Sequence, residues 1–386
     1  MAGRLDLHAK EDRRGSGEGV DHFFLTLIFL LLTVGLTMLY SASFAQSQYD
    51  TGYTVSTKYL QKQAVCALMG LAAMYFFSRI PTQAWYRLAW PLYGISILLL
   101  LSVLVMGQEV NGAKRWISIA GIQFQPSELA KFTQILLFAR LTRNYGQNAK
   151  QFRYGVLGFG LALLGILVPL ALEKHLSAIM LMGLVAVVMM FVAGTSPKWL
   201  LAGAGAAAVF VLIYITFMGY AGDRVTAWLH PEQDPGDTGY QILQSLYAIG
   251  SGGLFGLGFG KSRQKYLYLP FQYNDYIFAV CCEELGLVGA AAIAMLFAAA
   301  ILRGYWIALQ ARDRFSTVLG AGLVTLIAVQ TILNFCVVTN LLPSTGIALP
   351  FFSYGGTALA VNLGEMGIVL QISRQRNQRK IQEEIL

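Results

Sequence analysis

The chain has 386 residues, 56% of them hydrophobic and only 12% charged, with a mean hydropathy of +0.57. Soluble domains carry about 25% charged residues, so a soluble globular fold is excluded and a polytopic membrane protein is expected. The formal charge of +8 would suit nucleic acid, but the bases sit in short stretches between apolar runs, the pattern of membrane spans, so no nucleic-acid partner is expected.

Residues 1–20 are polar and Gly-rich, with Arg4, Lys10, Arg13 and Arg14, and read as a flexible cytoplasmic tail. The first span is expected over His22–Ser41. It lacks a small-residue cleavage site, so it reads as an uncleaved helix. A second span over Tyr59–Phe77 and a third over Trp90–Met106 follow, with Arg79 and Arg87 marking the turn between them. The stretch GQEVNGAKRWISIAGIQFQPSELAKF is punctuated by Gly, Asn and Pro; it reads as a loop, with Pro126 opening the fourth helix. Spans five to seven are expected over Tyr154–Leu172, Leu176–Val192 and Trp199–Met218. From Gly219 to Asn274 the chain leaves the membrane. Spans eight and nine follow, over Tyr276–Leu302 and Thr317–Val338. LLPSTGIALPFFSYGG, residues 341–356, is apolar but broken by Pro343, Pro350, Gly355 and Gly356, which predicts a re-entrant or cavity-lining segment. The tenth span ends near Ser373, before the basic tail 374–386. About ten spans put both termini on one side. The Lys/Arg excess on that side makes it cytoplasmic, with the large loop between spans seven and eight extracytoplasmic.

Chemistry concentrates in KSRQKYLYLPFQYNDYIFAVCCEELG, residues 261–286. Asp275 stands at a helix start, where a carboxylate serves either as an N-cap or as a general base toward a hydroxyl. Glu128 and Lys131 are three residues apart on one helix face, as a structural ion pair or as the lining of a functional cavity. Glu283, Glu284 and Glu365 are open to the same two readings. Lys114, Arg115, Arg224, Lys261, Arg263 and Lys265 fall on the side where positive charge is disfavoured, so they are either solvated or hold an anion such as a diphosphate or lipid headgroup. Ser353, in the broken segment, joins the candidate set. SGGLFGLGFG lacks the Lys-Ser/Thr end of a phosphate-binding loop, and no nucleotide is expected. All four cysteines lie in apolar segments without metal-type spacing.

Four stretches carry a resemblance across nearly the whole chain: NGAKRWISIAGIQFQPSELAKF, DRVTAWLHPEQDPGDTGYQILQSLYAIGSGGLFGLGFG, KSRQKYLYLP with NDYIFAVCCEELG, and LLPSTGIALPFFSYGG. They resemble the SEDS family (shape, elongation, division and sporulation), the RodA/FtsW/SpoVE peptidoglycan glycosyltransferases, and the wording at Ser262–Lys265 is closer to FtsW and SpoVE than to RodA. The resemblance implies a ten-helix bundle spanning 21–373, with a large extracytoplasmic loop at 219–275. It implies an activity that polymerises lipid II into glycan strands, and a class B penicillin-binding protein as partner. The family's essential aspartate falls on Asp275, and the Glu and Lys of its PSELAK motif fall on Glu128 and Lys131. Basic residues, with a divalent cation (Mg2+ or Mn2+) at Asp275, are expected to stabilise the departing diphosphate. The chain departs from the family's usual wording in several places. Phe271 and Tyr273 stand for an acid and a histidine, Lys62 for an arginine before Gln63, EKHLSA (173–178) for a PDLGTA-like segment, and Asn340 and Ala348 for Gly and Pro. A role in cell division is expected. A lipid II flippase and a non-catalytic scaffold of the division complex are the alternatives.

Overall fold

The computed structural model describes residues 19–110, 113–119, 122–203, 205, 227–233 and 238–385. Helix α1 runs His22–Asp50, capped by Asp21, whose carboxylate accepts from the Phe24 amide at 2.9 Å and pairs with Arg303 at 2.8 Å. It outlasts its apolar run, which ends near Ser41, because Ser41, Ser43 and Ser47 turn inward and are buried. Helices α2 (Lys58–Phe77) and α3 (Thr82–Met106) follow; α3 starts directly after Pro81 and carries Arg87 inside it, not in a turn. The stretch expected as a loop is an antiparallel meander instead: β1 (Gln108–Val110), β2 (Ala113–Ile119) and β3 (Ile122–Phe124) pair in the order β1-β2-β3.

Pro126 is the first residue of α4 (Pro126–Tyr145), where its missing N–H costs nothing. After a π-helical turn at Arg153–Gly158 come α5 (Phe159–Leu172) and α6 (Leu176–Val192). Most of the expected seventh span, and Arg224, lie outside the described residues, as does the tail 1–18. Within the large loop a helix appears that was not expected, α7 (Thr238–Gly252). Its buried residues Ile242, Ser245, Ala248 and Gly252 share one face. Helices α8 (Ile277–Leu309), α9 (Arg314–Val338) and α10 (Gly356–Ile385) complete the chain, with α10 continuing through the basic tail.

Among the described residues, six helices are long and apolar enough to cross a membrane: α1, α2, α3, α5 with its π-helical turn, α8 and α9. The protein is an all-α membrane protein with a small β-meander at one end. Helix α4 does not qualify on composition, yet Ser127, Glu128, Lys131, Thr133 and Gln134 are all buried. Surrounding helices therefore shield its polar groups, the only setting in which such groups are tolerated at membrane depth.

The broken segment, residues 340–355, carries no helix and is driven inward, with Phe351 and Phe352 almost fully buried. Gly35 of α1 admits it: a Cβ there would stand 2.3 Å from the Phe351 carbonyl oxygen. Phe352 packs on Phe297 of α8 with ring centroids 5.5 Å apart.

Candidate functional site

Asp275 is held from three directions through its backbone. Asn334 of α9 donates to both the Asp275 and Ile347 carbonyls at 2.8 Å. Ser353 Oγ donates to the Asn274 carbonyl at 2.7 Å while accepting from the Leu349 amide at 2.8 Å. The Tyr354 amide donates to the Tyr273 carbonyl at 2.9 Å. The N-cap of α8 is Tyr276, one residue after Asp275. The carboxylate lies against Gly346, where a Cβ would stand 3.3 Å from Asp275 Oδ2. Gln63, a turn into α2, fixes the same segment: it donates to the Ser353 carbonyl at 3.1 Å and accepts from the Gly355 amide at 3.2 Å. Sequence reasoning reached Ser353 but missed Gln63 and Asn334, because an amide in an apolar helix gives no signal until its partner is known.

Around this point gathers a charged interior. Glu128 and Lys131 form a buried ion pair at 2.8 Å. Glu365 of α10 lies within electrostatic reach of both, is 2% exposed, and has neither carboxyl oxygen bonded within the protein. The α5–α6 turn packs against the β-meander and the broken segment. Arg115 of β2 donates to the Lys174 carbonyl at 2.6 Å, and Ser177 Oγ donates to the Thr345 carbonyl, next to Gly346. Glu173 is buried with Oε1 unbonded, and burial pushes its carboxyl up to about 8 against the opposing Arg115 charge. Burial, with the Arg115 and Lys131 charges, pulls the His175 imidazole down to about 3. Buried polar atoms are bonded as a rule. Glu173 Oε1, His175 Nδ1, Thr345 Oγ1 and both oxygens of Glu365 have no bonding partner within the protein.

The basic cluster divides. Lys261 and Arg263 are exposed, as is Lys114, while Arg115 is half-buried. Lys265 is 2% exposed, pairs with Glu284 at 2.9 Å and donates to Ser41 Oγ at 2.9 Å, so its charge is balanced inside the fold. Glu283 and Glu284 organise the loop. Glu284 accepts from the Gly260 and Ser262 amides, and Glu283 from the Arg263 and Gln264 amides and the Ser262 hydroxyl. These two glutamates are scaffold. Among the described residues no three His, Cys, Asp or Glu side chains group as metal ligands. Asp275 supplies one carboxylate, which suffices for Mg2+ when substrate phosphate oxygens and water complete the shell.

The fold defines an all-α membrane protein with a buried ion pair in its interior and a carboxylate-bearing segment fixed by Asn334, Ser353 and Tyr354. The sequence pattern of the FtsW/RodA/SpoVE group, described as cell cycle protein, matches residues 21–378, and the chain belongs to that family. It is 38% identical over 374 residues to a probable peptidoglycan glycosyltransferase FtsW of Geobacter sulfurreducens, covering 96% of this chain and 98% of the relative. It is 37% identical over 358 residues to stage V sporulation protein E of Bacillus subtilis, covering 92% and 97%. Among solved structures, a chain from work on the coordination of polymerization and crosslinking by a peptidoglycan synthase complex superposes with a TM-score of 0.78 at 28% identity, covering 92% of this chain and 98% of that one. The rod shape determining protein RodA of Thermus thermophilus superposes with a TM-score of 0.69 at 27% identity, covering 92% and 97%.

Proposed function

We propose that this peptidoglycan glycosyltransferase polymerises lipid II into glycan strands at the outer face of the bacterial cytoplasmic membrane, in cell division, with Asp275 as its catalytic carboxylate. Family membership supports the activity. The observation that carries the site is the fixing of Asp275 by Asn334, Ser353 and Tyr354 beside the unbonded polar interior.

The 4-hydroxyl of an incoming lipid II attacks the anomeric carbon of the lipid-linked strand. The new C–O bond forms as the bond to undecaprenyl diphosphate breaks, and Asp275 takes the hydroxyl proton. Arg115, Lys114, Lys261 and Arg263 receive the negative charge of the departing diphosphate. Arg224 belongs to the same proposal but lies outside the described residues. Lys265, committed to Glu284, does not. Glu128 and Lys131 set the field of the interior from α4. A divalent cation, when bound at Asp275, would neutralise diphosphate charge. The donor is already activated, so no nucleotide is needed. Both termini are cytoplasmic in this reading. Membrane lipid surrounds the bundle, and a class B penicillin-binding protein, together with other division proteins, crosslinks and places the strands.

The test is polymerisation of labelled lipid II by purified protein, with and without the transpeptidase. Asp275→Asn is expected to lower polymer yield by at least about a hundredfold, the scale of a lost general base, while keeping lipid II binding. Unchanged yield would overturn the assignment. A buried Glu128–Lys131 pair beside Glu365 is also what a flippase would carry. Lipid II crossing sealed vesicles without any polymer would establish that reading instead.

A further inference from the structure

Three tyrosines from separate segments meet beside Asp275. Tyr59 opens α2, Tyr273 precedes Asp275 by two residues, and Tyr354 ends the broken segment. Ring centroids are 4.5 Å apart for Tyr59 and Tyr273, 4.9 Å for Tyr59 and Tyr354, and 5.9 Å for Tyr273 and Tyr354. The Tyr59 hydroxyl donates to Asp50 at 2.5 Å, and the Tyr59 and Tyr273 oxygens lie 3.5 Å apart. The Tyr354 amide is bonded to the Tyr273 carbonyl, and Gln63, one turn beyond Tyr59, clamps residues 353–355. The cluster is therefore fixed to the same backbone that fixes Asp275.

Core aromatics elsewhere are sealed: Phe297 and Phe352 are 1% and 0% exposed. These three rings are only half-buried, so each offers surface outward as well as to its neighbours.

We infer that Tyr59, Tyr273 and Tyr354 form a wall that receives the pyranose ring of an N-acetylhexosamine and sets its hydroxyl toward Asp275. This inference rests on the glycosyltransferase reading above. A pyranose presents a face of C–H bonds, which suits the electron-rich face of a phenol ring, while the phenol hydroxyls meet the sugar's hydroxyls. The Asp50 tether orders Tyr59 before the sugar arrives, which reduces the entropy cost of binding. These are positioning residues: they place the sugar and exchange no proton with it.

The test compares lipid II binding to full-length Asp275→Asn protein with and without Tyr273→Ala, using undecaprenyl diphosphate as the sugar-free control. Loss of one aromatic contact is expected to weaken lipid II binding about tenfold and leave the sugar-free lipid unaffected. With Asp275 intact, Tyr273→Ala should raise KM by a similar factor and also lower kcat, since the hydroxyl is no longer set toward Asp275. Tyr273→Phe should recover most of the lost affinity, since it restores the ring. Should Tyr273→Ala not fold, Tyr273→Leu keeps bulk without an aromatic face and makes the same comparison. Equal weakening of both lipids, or no weakening of either, would overturn the wall while polymerisation by the wild type leaves the enzyme reading intact. Wild-type protein that neither polymerises nor binds lipid II would overturn both.

Discussion

Lys261, Arg263 and Lys265 are indistinguishable in sequence, three bases in five residues on one loop. The fold separates them through Glu283 and Glu284, some twenty residues on, which draw Ser262 and Lys265 inward and leave the other two outside. A candidate list from residue type alone necessarily includes all three. Asp275 stands out in the sequence as a lone acid before an apolar run in a recognisable motif; Gln63 and Asn334 do not. At the same scale Glu173 and His175 predict a pH signature. Glu173 is raised from 4.5 to about 8, so the folded state keeps a proton that the unfolded state has lost, and stability falls as pH rises through that window. His175 is lowered from 6.5 to about 3, so the unfolded state holds the extra proton, and stability rises with pH across its window. The two slopes oppose each other where the windows overlap, between 4.5 and 6.5, and only the Glu173 slope acts above it. Glu173→Gln removes one slope. Its melting temperature, measured by thermal unfolding in detergent, should fall less than that of wild type as pH rises from about 4.5 to about 8. A variant with the wild-type profile would show that Glu173 keeps its ordinary acidity.

Elements were read well where apolarity alone defines them. Helix α2 and the start of α4 stand where expected, since a bilayer leaves an apolar run little choice. The misses share one cause: structure stabilised by other parts of the protein rather than by lipid. The polar extension of α1 is helical because Ser41 serves the Lys265–Glu284 pair. The β-meander was hidden by its Gly and Asn punctuation, and α7 by its glycines. Helix α8 shows how far such support goes. At Gly286 its backbone takes φ 66°, ψ −169°, breaking the helix. The flanking groups pair with the Gly-rich segment: Leu257 N with the Glu283 carbonyl at 2.9 Å, and Leu287 N with the Gly253 carbonyl at 2.9 Å. A Cβ at Gly286 would stand 2.3 Å from Gly256 N, and the φ is one that only glycine adopts at little cost. Gly286→Ala should therefore cost at least about 2 kcal/mol and detach residues 253–262 from the helix. Limited proteolysis should then cut within that segment faster than in wild type, and an unchanged cleavage rate would show that the segment is held by other contacts.

For the whole molecule, the chemistry proposed depends on which compartment Asp275 faces. The end of the bundle opposite the site carries Arg79, Arg140, Arg143, Lys150, Arg312 and Arg314, the bases on which the proposed cytoplasmic assignment of that end rests. The site end carries its bases near a carboxylate and an unbonded polar interior, where a diphosphate would use them. In the proposed mechanism the lipid-linked donor serves a face without nucleotide sugars, so the proposed mechanism and the charge distribution agree on one orientation. Single cysteines would test it in intact cells, in a background with the half-buried Cys66 and Cys336 replaced by Ala; Cys281 and Cys282 are buried. Lys261→Cys should react with a membrane-impermeant maleimide without permeabilisation. Arg312→Cys, beyond the far end of α8, should react only after it. The reverse pattern would place Asp275 among cytoplasmic nucleotides, remove the reason for a lipid-linked donor, and make a transport role for the buried charges the stronger reading.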